Sequence, residues 1–88
     1  MSQLDKILDD VKIERQRQSN VAGSEYDLTN APNDWVAIAS HYLLQDVYRK
    51  KVAPNRAQFR DSLIKAAAVI VAALEHEQNM VNKGQLTE

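Results

Sequence analysis

The sequence predicts an all-α protein of three helices, at about residues 3–20, 31–52 and 55–82, which form a helical bundle completed by self-association. Three observations support this fold class. Apolar residues recur at spacings of three and four, as on one face of a helix. The 88 residues include only two glycines and two prolines, and each lies where a helix is expected to start or stop. Finally, residues 63–74 are apolar on nearly all sides and include a single charge, so most of this segment must be covered.

The first predicted helix begins at Ser2, whose spacing to Asp5 resembles a capping box, and runs to about residue 20. Two pairs of carboxylates, Asp5 with Asp9 and Asp10 with Glu14, have the i, i+4 spacing of metal ligands on a helix. Lysines and arginines surround them, so we expect a solvated face of intrahelical ion pairs instead. The apolar positions are Leu4, Ile7, Leu8 and Val11.

The second predicted helix follows an aperiodic stretch that we interpret as an ordered loop. Thr29 or Asn30 can cap this helix, and Pro32 fits its first turn because an N–H is not needed there. Pro54 is expected to end it. We expect Trp35 to be in the core, together with Phe59 across the turn. The main apolar face is predicted to contain Trp35, Ile38, Ala39, Tyr42 and Leu43.

The third predicted helix starts near Asn55 and stops before Gly84. At 1.5 Å per residue, about 26 residues make a rod of about 40 Å, which exceeds the width of so small a domain. Its alanines allow a neighbouring helix to approach closely, so we predict that it is the seam of a homodimer or larger oligomer. The alternative is a monomer in which the first two helices wrap the third. The predicted interface residues are Leu63, Ala67, Ile70, Val71 and Leu74.

Composition limits the function further. The chain is expected to be a single domain over residues 1–88, with a frayed C-terminus from about residue 84. It contains no cysteine, which excludes disulfides, thiolate metal sites and thiol nucleophiles. Eleven basic and twelve acidic side chains nearly cancel, which argues against a general nucleic-acid binder. We expect neither a secretory signal nor a membrane span, and a cytoplasmic location.

Few residues are arranged for chemistry. His41 follows Asp34 by seven residues, two helical turns, so both could line one pocket; a structural, hydrogen-bonded histidine is the alternative. His76 lies between two glutamates and is expected to be exposed. The basic residues around the turn at Pro54 could bind phosphate, or could act as helix-dipole partners and aid solubility. No glycine-rich phosphate loop is present.

Four segments, taken in order, carry a family resemblance. They are residues 14–18 (ERQRQ), 23–27 (GSEYD), 33–35 (NDW) with Ala39 and Tyr42, and 63–75 (LIKAAAVIVAALE). As an ordered set they resemble the small MazG-like helical proteins of phages and prophages, whose motifs are similar and similarly spaced. The likeness covers about residues 14–77. It implies an all-α oligomer in the host cytoplasm, from a superfamily whose active members hydrolyse nucleoside triphosphates with Mg²⁺ held by acidic clusters.

The resemblance also implies site residues. By position, Glu25, Asp27, Asp34 and Glu75 match the metal ligands of the family, and a bound nucleotide would involve Tyr26, His41 and Lys65. Several family positions differ: Tyr26 replaces a histidine, Leu28 an aspartate, Asn33 a glycine and Ala73 a glutamate.

These substitutions lead to a prediction about function. We expect a self-assembling, non-catalytic module that binds nucleotide or acts through regulatory interactions, with no certain cofactor. One alternative is an Mg²⁺-dependent nucleoside triphosphate pyrophosphohydrolase whose sites are shared between subunits. The other is a purely structural or host-protein-interaction protein.

Overall fold

A computed structural model describes residues 2–20, 29–45 and 55–88. These residues form four helices: α1 (Gln3–Ser19), α2 (Pro32–Leu44), α3 (Arg56–Glu75) and α4 (Glu77–Asn82). No strand occurs in these ranges, so the prediction of an all-α protein is confirmed. The predicted loop at 21–28, the extension of the second helix to 52 and the stop at Pro54 fall on residues outside the described ranges.

The helix starts follow from local capping. The Ser2 hydroxyl accepts a hydrogen bond from the Asp5 N–H at 3.1 Å, as predicted for α1. At the start of α3, the side chains of Asn55 and Gln58 each accept from the other's backbone N–H, which makes a full capping box. The prediction of Thr29 or Asn30 as the cap of α2 is wrong: the N-cap is Ala31, directly before Pro32.

The predicted third helix is interrupted. His76 ends α3 and precedes the separate short helix α4, so the single rod to residue 82 is wrong. The turn brings Met80 of α4 into contact with the core formed by α2 and α3. Gly84 ends α4 with φ of +75°, as its predicted role as a stop requires. Beyond it, the chain does not simply fray: the Leu86 N–H donates to the Met80 carbonyl and Leu86 packs against the core.

The core is built around α3 from small side chains. Helices α1 and α2 pack mainly against α3. The residues of α3 that face α1 and α2 are mostly small. Among them, Ala68 is completely buried, at 0% exposure. Small side chains allow helix axes to come close, but each buries little apolar area. The buried residues of α3 are Ser62, Ala66, Ala68, Val69 and Ala72, and the cluster between α2, α3 and α4 contains Trp35, Ala39, Val69, Ala72 and Met80.

Large apolar side chains lie mostly outside this core. The expectation that Phe59 is buried is wrong, since 55% of it is exposed, and Ile38 and Leu43 of the predicted α2 face are also exposed. Trp35 and Met80 are the large side chains within the core, and most other buried positions are occupied by alanine or valine. The exposed large apolar residues also include Leu4, Ile7, Leu8 and Ile13 of α1, Val36 and Leu44 of α2, and Leu63, Ile70, Val71 and Leu74 of α3.

Candidate functional site

Asp34 lies at the third position of α2, where its carboxylate has a local partner. It accepts a hydrogen bond from the Ala31 N–H at 2.8 Å. An aspartate in the first turn also interacts favourably with the positive end of the helix dipole. Asp34 is exposed. This hydrogen bond gives Asp34 a structural role at the start of α2.

Glu75, the last residue of α3, faces α1. Its Oε1 accepts from Arg15 Nε at 3.1 Å, and this ion pair joins the two helices. Glu77 begins the separate helix α4. Glu25, Asp27 and Tyr26 lie outside the described residues, so the structure does not place them relative to Asp34 and Glu75. Within the described ranges, no three acidic or histidine side chains converge as a metal ion would require.

His41 lies on α2, where its ring contacts Tyr42 edge-on and its Nε2 lies 3.4 Å from Gln45 Nε2. It is exposed, on a shallow open groove lined by Ala37, Ser40, His41, Leu44 and Gln45. Asp34 does not line this groove. The two residues that sequence spacing could have placed in one pocket thus have separate surroundings.

Lys65 has an acidic partner and an aromatic neighbour. Its Nζ lies 2.9 Å from Asp61 Oδ2, one helical turn earlier, and 6.0 Å from the centre of the Tyr42 ring. A cation at this distance from a ring face is weakly attracted by it. The predicted ligand-binding residues His41 and Lys65 are thus both next to Tyr42, which packs against the core.

A polar cluster between α1 and α3 was not predicted as a unit. Glu14 binds Arg17 through two hydrogen bonds, of 2.8 and 2.6 Å, and accepts a third from Gln18. Gln18 also donates to the Lys65 carbonyl, across to α3. The hydrogen bond from Arg17 lowers the pKa of Glu14, although partial burial opposes the shift. The i, i+3 spacing of Glu14 and Arg17 was the available sequence signal, and these residues belong to the segment 14–18 that carries the family resemblance.

His76 and Trp35 form a stacked pair where α3 meets α4. Their ring centres are 5.5 Å apart and their planes differ by 19°. His76 is half-buried, so the expectation that it is exposed is wrong. The Trp35 ring lies in the core, and its Nε1 has no hydrogen-bond partner among the residues that the structure describes. This pair holds the turn between the helices against α2.

The most extensive feature of the described surface is one side of α3. Phe59, Leu63, Ala67, Ile70 and Leu74 follow one another at spacings of four, four, three and four residues, so they lie along one face. We call these residues, with the flanking Val71, the outer face of α3. All except the half-buried Ala67 are exposed, and Leu74 is 63% exposed. Four of the five predicted interface residues are thus exposed, and the fifth, Ala67, is half-buried among them.

Comparisons with protein-family models, curated proteins and solved structures found no match for this chain. No helix within the described ranges is both long enough and apolar enough to cross a membrane.

Proposed function

We propose that this protein is a non-catalytic helical interaction module that self-assembles in the cytoplasm on a MazG-like scaffold. Its working surface is the outer face of α3. Any nucleotide bound by this scaffold is assigned to the groove beside His41, together with Lys65.

One observation carries the proposal: α3 turns its small residues inward and its large apolar residues outward. Ala68 is fully buried whereas Leu74 on the opposite side is 63% exposed. Burying apolar surface contributes about 25 cal/mol per Å², so five large side chains left in water are a substantial unused driving force for association. Contiguous exposed apolar surface on a water-facing helix is typical of interaction sites.

The surroundings of the acidic residues support the non-catalytic part. A Mg²⁺ site needs carboxylates available to the ion. Asp34 accepts from the backbone at the start of α2, and Glu75 pairs with Arg15. Both carboxylates thus have structural partners, and a metal ion would have to compete for them. The four family positions at which this chain differs point in the same direction.

Sedimentation velocity over a series of concentrations tests the assembly. The wild-type chain is expected to form a dimer or larger oligomer, and Leu63→Gln with Leu74→Gln to shift it to monomer while far-UV circular dichroism stays helical. Ile13→Gln is the matched control, because Ile13 is equally exposed but lies on α1. A wild-type chain that remains monomeric and folded at high micromolar concentration would contradict the proposal.

Two further measurements test the non-catalytic part. Calorimetric titration with a panel of nucleotides, with and without Mg²⁺, measures binding, and pyrophosphate release measures turnover. We expect no turnover of any triphosphate. Robust, Mg²⁺-dependent hydrolysis that Asp34→Asn abolishes without changing the oligomer would establish the pyrophosphohydrolase instead.

A further inference from the structure

We infer that the outer face of α3 binds the same face of a second copy, with the two helices antiparallel and the two-fold axis beside Ala67. This inference rests on the proposed self-assembly and specifies its geometry. The outer face extends from Phe59 to Leu74, and Ala67 lies at the middle of that range. A small residue at the centre allows the two helices to approach closely, with larger residues packing on either side.

The apolar residues alone do not choose the orientation. Spacings of four and three from Leu63 to Leu74 would also suit a parallel coiled coil, in which each residue meets its own copy. In the antiparallel arrangement with Ala67 on the axis, Leu63 instead meets Val71 of the second copy. The choice between the two orientations must therefore come from charge.

The charges at the two ends of α3 are placed against its own dipole, whereas Asp61 and Lys65 between them pair with each other. Arg56 and Arg60 lie in the first turns, and Glu75 is the last residue, followed by Glu77. A helix dipole favours the opposite arrangement, with acidic groups at the start and basic groups at the end. Within the chain, Arg60 pairs with Asp10 and Glu75 with Arg15, so two of the four charges are offset by α1.

An antiparallel second copy offsets the charge at Arg56. It brings the C-terminal end of the other α3, with its negative dipole end and acidic residues, next to Arg56, and it also aligns the two helix dipoles favourably. A parallel copy would place Arg56 beside Arg56 and the acidic ends beside each other. Self-complementary charge at the two ends of an uncharged face is what a two-fold symmetric interface requires.

The absence of cysteine makes a direct test possible, because single cysteines can be introduced without interference. Leu63→Cys and Val71→Cys chains, one carrying a size tag, are mixed, equilibrated and mildly oxidised. In the antiparallel dimer, positions 63 and 71 meet, whereas the two copies of position 63 are separated by about 12 Å along the axis. A disulfide needs Cα atoms within about 7 Å. We expect at least fivefold more 63–71 disulfide than either homodimeric disulfide.

Ala57→Cys serves as the control for random collision. It is exposed on α3 but lies off the outer face. It should give no disulfide above the background measured in denaturant. Arg56→Glu gives a second readout, independent of cysteine: it should weaken the dimer up to about fivefold at low salt and less at high salt, as for an exposed charge pair.

The outcomes separate the two levels of the argument. A sedimenting dimer with mainly 63–63 and 71–71 disulfides would overturn the antiparallel geometry and leave self-assembly standing. A dimer that yields no disulfide at either position would overturn it as well, and would move the interface to another apolar surface such as Leu4, Ile7 and Leu8 of α1. A folded monomer would overturn both this inference and the proposed function.

Discussion

Replacing Ala68 with leucine tests whether the inner side of α3 is as closely packed as the structure indicates. Ala68 is fully buried, and leucine adds three carbon atoms at a site with no space for them. Overpacking of a close-packed site costs typically about 1–3 kcal/mol. For a domain of this size, each kcal/mol corresponds to a shift in Tm of about 4–8 °C. We therefore expect Tm to fall by roughly 4–24 °C.

Ala57→Leu is the matched control for this experiment. The same substitution is made in the same helix, but Ala57 is exposed, and leucine is nearly as good a helix former as alanine. The free energy of unfolding of the Ala57→Leu variant should therefore stay within about 0.5 kcal/mol of the wild-type value.

Thermal unfolding, which gives Tm, and urea denaturation, which gives a midpoint and slope, are both followed by fluorescence for the two variants. Trp35 is the only tryptophan and is buried, so its emission should shift to longer wavelength on unfolding. All samples must be at one protein concentration, because association stabilises the folded state by mass action. If Ala68→Leu and Ala57→Leu have the same midpoint and slope, α3 is not packed at Ala68, and the distinction between its inner and outer sides would be refuted.

Three further outcomes are expected. Asn55→Ala removes the acceptor for the Gln58 N–H and should cost about 0.5–2 kcal/mol in urea denaturation, whereas Asn55→Asp should retain most of the stability. The pKa of Glu14 is lowered in the folded protein from its usual 4.5. The stability that this carboxylate contributes is therefore complete above that value and is lost as pH falls through and below it. Glu14→Gln should flatten the acid side of a plot of Tm against pH. A double-mutant cycle on Arg15 and Glu75, measured by thermal unfolding, should give a coupling below about 1 kcal/mol, since the Glu75 carboxylate is exposed to solvent; a larger value would show that the pair is a principal link between α1 and α3.

Local signals predicted the helix ends well. Ser2 and Asn55 were identified as starts because side-chain acceptors at these positions act within one turn, whatever the tertiary structure. Gly84 was identified as a stop for a similar local reason, its freedom to adopt positive φ. Ala31 was missed because its methyl group cannot accept a hydrogen bond; here the Asp34 N–H donates to the Ala31 carbonyl at 2.9 Å and the Asp34 carboxylate accepts from the Ala31 N–H.

Tertiary contacts decided what the sequence left open. In α3, apolar residues occur on nearly all sides, so periodicity could not tell which side faces the core. Close approach of α1 and α2 selected alanines such as Ala68 and left Phe59 outside. The break at His76 also has no proline or glycine beside it to predict it; stacking on Trp35 accompanies it instead.

In the candidate site, too, most local features could be predicted from the sequence and tertiary contacts could not. The spacing that places Leu63, Ala67 and Leu74 on one side of α3 could be predicted, because it is a property of a single helix; that this side lies outside the core needed the fold.

The partner of Glu75 could not be predicted, because Arg15 is 60 residues away along the chain. The partner of Asp34, the Ala31 N–H, is only three residues away and was missed because the cap was expected at Thr29 or Asn30. The cluster of Glu14, Arg17 and Gln18 was visible only as intrahelical charge spacing, and its link to α3 through the Lys65 carbonyl needed the fold.

A helix that keeps alanine inside and leucine outside has a consequence for how much intact protein a cell would hold. On the proposed assembly, a single subunit buries few large apolar side chains by itself. A newly synthesised chain without a partner subunit would therefore unfold more often and be degraded sooner. At concentrations high enough for the proposed association, each subunit would stabilise the folded state of the other. The concentration of folded protein would then rise more steeply than its rate of synthesis, which amounts to a concentration threshold.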